Sequence, residues 1–362
     1  MKKHRLTRRE FIGRTALGAS GLSVFGSQAN ADDRRTISPE HEPIAAVVEK
    51  HTGRTATSVE ELKWFHAYGD SNGTSYSVRC GKREYIVRVP RQARKWPLGD
   101  LGSEADYHAV IGKYVCTGLR EQRLGAPIVY AVDRDCDILD RPCAVASRVP
   151  GRPWRYYEDL WRKHRITSPP AHGREMGRLV RGIHEIRPRR GFGPVTDDGV
   201  GLVDSWSDMI HTLFNTWAEK AFRRRAISEE QRSLADAVID KWASQCDPTA
   251  GRILWMDDIM FGALVDAERR AVTGVSHAVG AWSGDPDYEL EWFAYYREDT
   301  DSLTSPPEEF AEGYGRRYDE VSDKRRFYRM SIYLCKLTWL DMKTERAKQH
   351  RERLDRILRQ LV

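Results

Sequence analysis

Leu254-Trp255-Met256-Asp257-Asp258-Ile259-Met260-Phe261-Gly262-Ala263-Leu264-Val265-Asp266 places two adjacent carboxylates on an apolar background. Arg252 to Leu254 and Ala263 to Val265 are short apolar runs that read as strands, so Asp257 and Asp258 belong to the loop between them. Two carboxylates side by side repel, which raises the proton affinity of one and suits acid/base chemistry. Asp257 is either a general base or a carboxylate that caps a turn, and Asp258 fits a solvated loop residue as well as a functional one. A third strand-like run, Val272 to Val275, leads within two residues to His277. Trp255, Met256, Met260, Phe261 and Trp282 surround this region. They either fill core or form a cleft wall suited to an apolar or aromatic ligand.

Upstream, Tyr76 to Cys80 and Tyr85 to Val89 read as strands joined through a Gly81-Lys82-Arg83 turn. Helical spacing follows from Glu104 to Leu119, and Ile128 to Val132 with Ala144 to Val149 read as a second strand pair. Past Pro150-Gly151-Arg152-Pro153-Trp154 the pattern turns helical. Met176, Leu179, Val180, Ile183 and Ile186 share one face, and Phe327, Met330, Leu334 and Leu337 do so near the end. The organisation expected is a sheet lobe over residues 51–150 and a mostly helical lobe over residues 151–362, with no internal repeat.

The amino terminus reads as a targeting segment over residues 1–31. Lys2, Lys3, Arg5, Arg8, Arg9 and Arg14 face a single acid, Glu10, and a weakly apolar stretch and Ala29-Asn30-Ala31 follow. Thr7-Arg8-Arg9-Glu10-Phe11-Ile12 has the form of a twin-arginine motif, so the twin-arginine export machinery is an expected partner and the protein is expected to be exported, periplasmic or secreted. The competing reading is a surface helix or a disordered tail, which Gly13, Gly18 and Gly21 disfavour as a helix. The formal charge of +6 falls to about +1 without this segment, so neither a nucleic-acid nor an anionic-membrane footprint is expected on the rest. No stretch is apolar enough to span a bilayer. Residues 32–50, polar and carrying Pro39 and Pro43, are expected as a linker. Of the six cysteines, Cys136 and Cys143 flank a hairpin tip and are either a disulfide or free thiols.

Taken in order, several of these pieces resemble the aminoglycoside phosphotransferases, the hygromycin kinases among them. Gly69-Asp70-Ser71-Asn72-Gly73 resembles the nucleotide loop of that family, and Arg83 to Val89 its strand bearing a basic phosphate-contacting residue, at Arg88. Glu104 sits where a helix carboxylate would pair with that base, and Pro142 to Pro153 resembles the hinge. Gly191-Phe192-Gly193-Pro194 through Ser205-Trp206 is similar to a loop of the hygromycin-type enzymes, and Gly274 to Leu290 to the metal strand and its exit through Gly284-Asp285-Pro286. The resemblance spans roughly residues 55 to 300. It implies an α+β, two-lobed protein-kinase-like fold, with a small antiparallel-sheet lobe and a mostly helical lobe. Ser71, Asn72, Arg88 and Glu104 would line the nucleotide site.

The family's catalytic loop reads His-Gly-Asp with an Asn five residues on, and a later strand ends in Ile-Asp. That pattern places Asp257 at the catalytic position, Gly262 where Asn would hold metal and His277 where Asp would. Magnesium takes hard oxygen ligands in octahedral geometry, and neither glycine nor imidazole supplies one. The leading expectation is a protein that has lost magnesium-ATP phosphoryl transfer. It would bind a small molecule, apolar or aromatic, or carry out metal-independent acid/base chemistry with Asp257 and His277. On this reading no cofactor is expected. The rival expectations are an active small-molecule phosphotransferase, in which Asp258 and water complete an atypical magnesium-ATP site, and a protein-interaction module on a kinase scaffold.

Overall fold

Along β2 (Gly73–Cys80) and β3 (Arg83–Pro90) alternate residues point to one face, and there Val78, Cys80, Tyr85 and Val87 are buried. Gly81 at the turn has a φ of +58°, which favours glycine, and the register runs from Cys80 opposite Arg83 to Gly73 opposite Pro90. This is a computed structural model that describes residues 36–62, 73–90, 112–154, 171–255, 262–266, 271–276, 281–300, 307–316 and 322–362.

The sheet continues through β1 (Ser58–Glu61), β4 (Val129–Asp133) and β5 (Cys143–Ser147) in the order β1-β2-β3-β5-β4, with every pairing antiparallel. Its buried face is covered by α1 (Glu42–Thr52), through Ile44, Ala45, Val47 and Val48. Most of the expected linker is therefore part of the sheet lobe's core. Pro39 and Pro43 misled the reading because both stand in the first turn of a helix, where the missing N–H costs nothing. Burying Ile44, Val47 and Val48 stabilises the lobe by about 1.5–3 kcal/mol per side chain.

Two smaller sheets carry the second lobe. β7 (Phe192–Val195) and β8 (Gly201–Val203) form a hairpin in the stretch expected as a loop, and β12 (Ala281–Gly284) joins β7 to β9 (Arg252–Trp255). β6 (Arg152–Pro153), from the expected hinge, pairs with β10 (Ala263–Asp266), which pairs in turn with β11 (Ala271–Val275). β9, β10 and β11 lie where apolar runs were read as strands, whereas β6, β7, β8 and β12, of two to four residues and mostly containing glycine or proline, carry too little periodic signal to be read alone.

The helices pack around these sheets. α4 (Trp206–Arg223), α6 (Pro286–Thr300) and α8 (Asp323–Leu337) bury Trp206, Phe214, Tyr288, Phe327 and Tyr328 in one cluster. Ser205 caps α4 by accepting the Asp208 N–H, and Ser228 and Gln231 form a capping box at the start of α5 (Glu229–Trp242). A second cluster joins the lobes. Val115, Cys116 and Leu119 of α2 (Gly112–Glu121) pack with Val180 and Ile183 of α3 (Ala171–Glu185) and with Trp255, Ala263 and Val265. Behind α2 the chain approaches β11 so closely that the Val275 N–H donates to the Gly125 carbonyl at 2.9 Å, and a Cβ on Gly274 would lie 2.0 Å from that oxygen. All six cysteines are free thiols, Cys136 and Cys143 included.

α1 is tied to the far edge of the sheet by charge. Lys50 Nζ lies 3.1 Å from Asp133 and 2.8 Å from Asp137, and His51 Nε2 lies 2.7 Å from Asp133. Burial works against ionisation of Asp133, but hydrogen bonds from His51 and Lys50 outweigh it and hold the carboxyl below its usual range. A depressed carboxylate contributes stability above its unfolded-state value of about 4, and that contribution is lost as pH falls through the folded-state value. Asp133→Asn is expected to cost about 1–3 kcal/mol at neutral pH in urea unfolding, and the gap to the parent protein should close as pH drops below about 4.

Candidate functional site

β9 ends at Trp255, two residues before Asp257, and a buried carboxylate from another element holds that end. Glu289, in the first turn of α6 and 3% exposed, accepts the Trp255 N–H with Oε1 at 3.0 Å and Oε2 at 3.1 Å. Its Oε2 also lies 2.6 Å from His184 Nε2, and His184 Nδ1 lies 2.8 Å from the Tyr314 hydroxyl at the end of α7 (Pro307–Tyr314). A neutral ring that donates from Nε2 to the carboxylate would accept at Nδ1 from the Tyr314 hydroxyl. Burial pushes the Tyr314 hydroxyl above its ordinary range. Three helices thus converge on the strand end from which the Asp257 loop departs.

Asp285 behaves as the Gly-Asp-Pro turn suggests. Its Oδ1 accepts the Asp287 N–H at 3.0 Å, its Oδ2 accepts from the Tyr328 hydroxyl at 2.8 Å, and Lys324 Nζ lies 2.5 Å away. It fixes the start of α6 and hence the direction from which Glu289 reaches Trp255.

Gly262, which the family resemblance sets against a metal-binding asparagine, stands just before β10. A Cβ built there would lie 2.1 Å from Trp255 Cζ2 and 2.5 Å from Cη2, so the indole already fills the space of a side chain at residue 262. Trp255 is 3% exposed and packed with Ile253, Ala263 and Leu290, leaving the ring little room to withdraw. The Ser276 N–H donates to the Gly262 carbonyl at 2.8 Å, and Trp255 pairs with Ala281 across β9 and β12. The Asp257 stretch leaves from Trp255 and returns at Gly262, while the His277 stretch leaves from Ser276 and returns at Ala281. Both segments therefore connect the same two paired anchors.

Asp257, Asp258 and His277 themselves lie outside the described residues, as do Ser71, Asn72 and Glu104. Arg88 is buried on β3, opposite Ser75 on one side and Ala144 on the other. Trp255 and Trp282 are core residues, 3% and 0% exposed, and belong to two different clusters. They do not form an apolar cleft wall, so an aromatic ligand draws no support from them. Met256, Met260 and Phe261 lie outside the described residues.

A model of the phosphotransferase enzyme family matches residues 67–275, more than half of the chain. The chain belongs to this family. No match is found among the curated proteins. Among solved structures, this chain is similar to aminoglycoside phosphotransferase APH(4)-Ia. The apo form of a thermostable mutant has 20% identity and a TM-score of 0.56 over 87% of this chain and 98% of that one. The same enzyme in a ternary complex with AMP-PNP and hygromycin B gives 19% identity and a TM-score of 0.59 over 87% and 98%. A gentamicin complex of APH(2")-IIa gives 14% identity and a TM-score of 0.51 over 92% and 97%. At these identities the likeness concerns the fold, which is the two-lobed kinase-like fold expected from the sequence.

Sequence reading missed Glu289 and His184 as members of the site. The signal available was weak: a histidine and a glutamate on otherwise apolar helix faces, 105 residues apart. Glu289→Ala would leave both the Trp255 N–H and the His184 ring without their acceptor in a buried setting. A loss of about 3 kcal/mol in urea unfolding is expected, with Glu289→Gln milder because its amide oxygen still accepts.

Proposed function

We propose that this phosphotransferase-family protein no longer transfers phosphate from magnesium-ATP and serves as a small-molecule binder. Asp257 and His277 stay available for acid/base chemistry that needs no metal. The observation that carries this reading is the packing of the Trp255 indole into the side-chain space of Gly262. A glycine alone would leave a gap that water could fill on behalf of a lost ligand; a buried indole there supplies no oxygen and leaves no such gap. The imidazole of His277, where an aspartate is matched, removes a negative charge as well as a hard ligand. The residues at these two positions do not fit a magnesium ion, and no phosphoryl-transfer step is derived for this chain.

The anchoring of Trp255 by Glu289 and His184 supports an ordered scaffold at the end of β9, because a buried carboxylate–imidazole pair is costly unless every partner is held in place. Export through the twin-arginine route, read from the first 31 residues, belongs to the same proposal. Fluid outside the cytoplasm holds little ATP, whereas a protein exported already folded can carry a ligand with it.

Calorimetric titration with ATP, with and without magnesium, tests the reading directly. The expected result is an ATP affinity that magnesium changes by less than about two-fold, and no ATP turnover. A magnesium-dependent gain of roughly ten-fold or more, together with turnover, overturns it. Thermal-shift measurements against a panel of aminoglycosides and other small metabolites test the binding half, and at least one compound should raise the melting temperature. The packing itself is open to a double-mutant cycle. Gly262→Asn should cost about 3 kcal/mol in the parent protein and clearly less beside Trp255→Leu, giving a coupling of about 1–3 kcal/mol.

A further inference from the structure

α4 and α8 end side by side at the surface. Arg224, just past α4, donates through Nη2 to the carbonyl of Leu340, three residues past α8, at 3.4 Å. Trp339 at this corner is 71% exposed, and Phe222, in the last turn of α4, is 38% exposed. The Cys335 thiol of α8 is hydrogen-bonded to the Trp339 indole and feels the charge of Lys220 on α4, so the two helix ends share one patch. Lys220, Arg223, Arg224, Arg225 and Lys343 are all exposed around it, and Lys336 is half-buried beneath.

Acidic groups do not cancel this charge. Glu219 is engaged by Arg223 and Arg232 and Glu230 reaches away to Arg359, while Asp341, exposed and bonded to the Lys343 backbone N–H, offsets one positive charge and leaves the cations in excess. Glu229 and Glu345, each in the first turn of its helix, are exposed at the margins. Lys220, Arg224, Arg225 and Lys343 form no ion pair with a described residue. Helix dipoles account for cations in the last turns, as with Lys220, Arg223 and Lys336, but not for those beyond the helix ends. Arg225 in particular takes a left-handed φ of 56°, a conformation for which glycine or asparagine is the unstrained choice. Nor does the fold need a nearly bare indole among these cations.

We propose that this corner is a docking surface for an anionic lipid membrane, with Trp339 and Phe222 entering the headgroup region and Lys220, Arg224, Arg225 and Lys343 facing lipid phosphates. Tryptophan favours the water–hydrocarbon boundary, and long basic side chains can bury their stems while keeping their charges among headgroups. A prominent corner of two helix ends suits a fluid surface that moulds to it. A rigid acidic protein would have to offer a matching recess and bury about 800 Å² on each side. Docking differs from spanning: no helix among the described residues is long and apolar enough to cross a membrane. The near-neutral charge left by the chain without its first 31 residues conceals this local concentration, so the absence of a membrane footprint expected from net charge does not extend to the folded surface.

Flotation of the full chain with vesicles tests the proposal, using phosphatidylglycerol mixed with phosphatidylcholine against phosphatidylcholine alone. The basic amino-terminal segment is controlled by running every comparison in a background where Lys2, Lys3, Arg5, Arg8, Arg9 and Arg14 are all replaced by serine. In that background the protein is expected to float with anionic vesicles, weakly with neutral ones, and less as salt rises. Arg224→Glu with Arg225→Glu, and separately Trp339→Ser, should each lower binding roughly ten-fold. All three residues are exposed, and an unchanged melting temperature confirms folding of the variants. Equal binding to neutral vesicles, equal binding by the variants, or tighter binding to a single-stranded oligonucleotide than to anionic vesicles overturns the proposal.

Discussion

A single buried carboxylate organises the second lobe. Glu289 accepts from the backbone at Trp255 and meets the ring of His184, whose other nitrogen is hydrogen-bonded to the Tyr314 hydroxyl. In a setting this enclosed an unpaired carboxylate would cost several kcal/mol, so β9, α3, α6 and α7 have little freedom to move relative to one another. The end of β9 is therefore fixed before any chemistry is considered. So is the Trp255 indole that rises from it.

That fixed indole connects architecture to function. A phosphotransferase can tolerate drift in its loops, but side-chain volume at a close-packed position is either present or absent. At residue 262 the indole occupies the volume, which makes glycine the residue that fits. The buried contacts that hold the strands together are present, and the proposed loss of metal binding concerns other residues. Scaffold and chemistry rest on different residues, so one can persist without the other.

Charge illustrates the difference between an average and a place. Net charge sums over the whole chain and says nothing about which residues the fold gathers. Arg224 and Leu340 are 116 positions apart in the chain, yet the packing of α4 on α8 sets them in contact. The basic, aromatic corner exists because two helices happen to end together.

Much of the fold was legible in the sequence. The β2–β3 and β4–β5 pairs and the apolar face of α3 follow from local periodicity and turn chemistry, which act over a few residues, while the order of motifs was legible through the family resemblance. The short strands β6 and β12 and the β7–β8 hairpin were not legible, since strands this short take their stability from neighbours rather than from their own pattern. α1 was hidden because its prolines signal a break in sequence and a helix start in space. At the site, residue identity alone marked Gly262 and His277 as departures from the family pattern. Only the tertiary structure decided that Trp255 fills the space at 262, that Glu289 and His184 hold Trp255, and that Trp282 lies in the core. Glu289 and His184 reach Trp255 from other helices, and even the contact of Trp255 with Gly262, seven residues on, depends on how β9 and β10 are placed, which no local pattern contains.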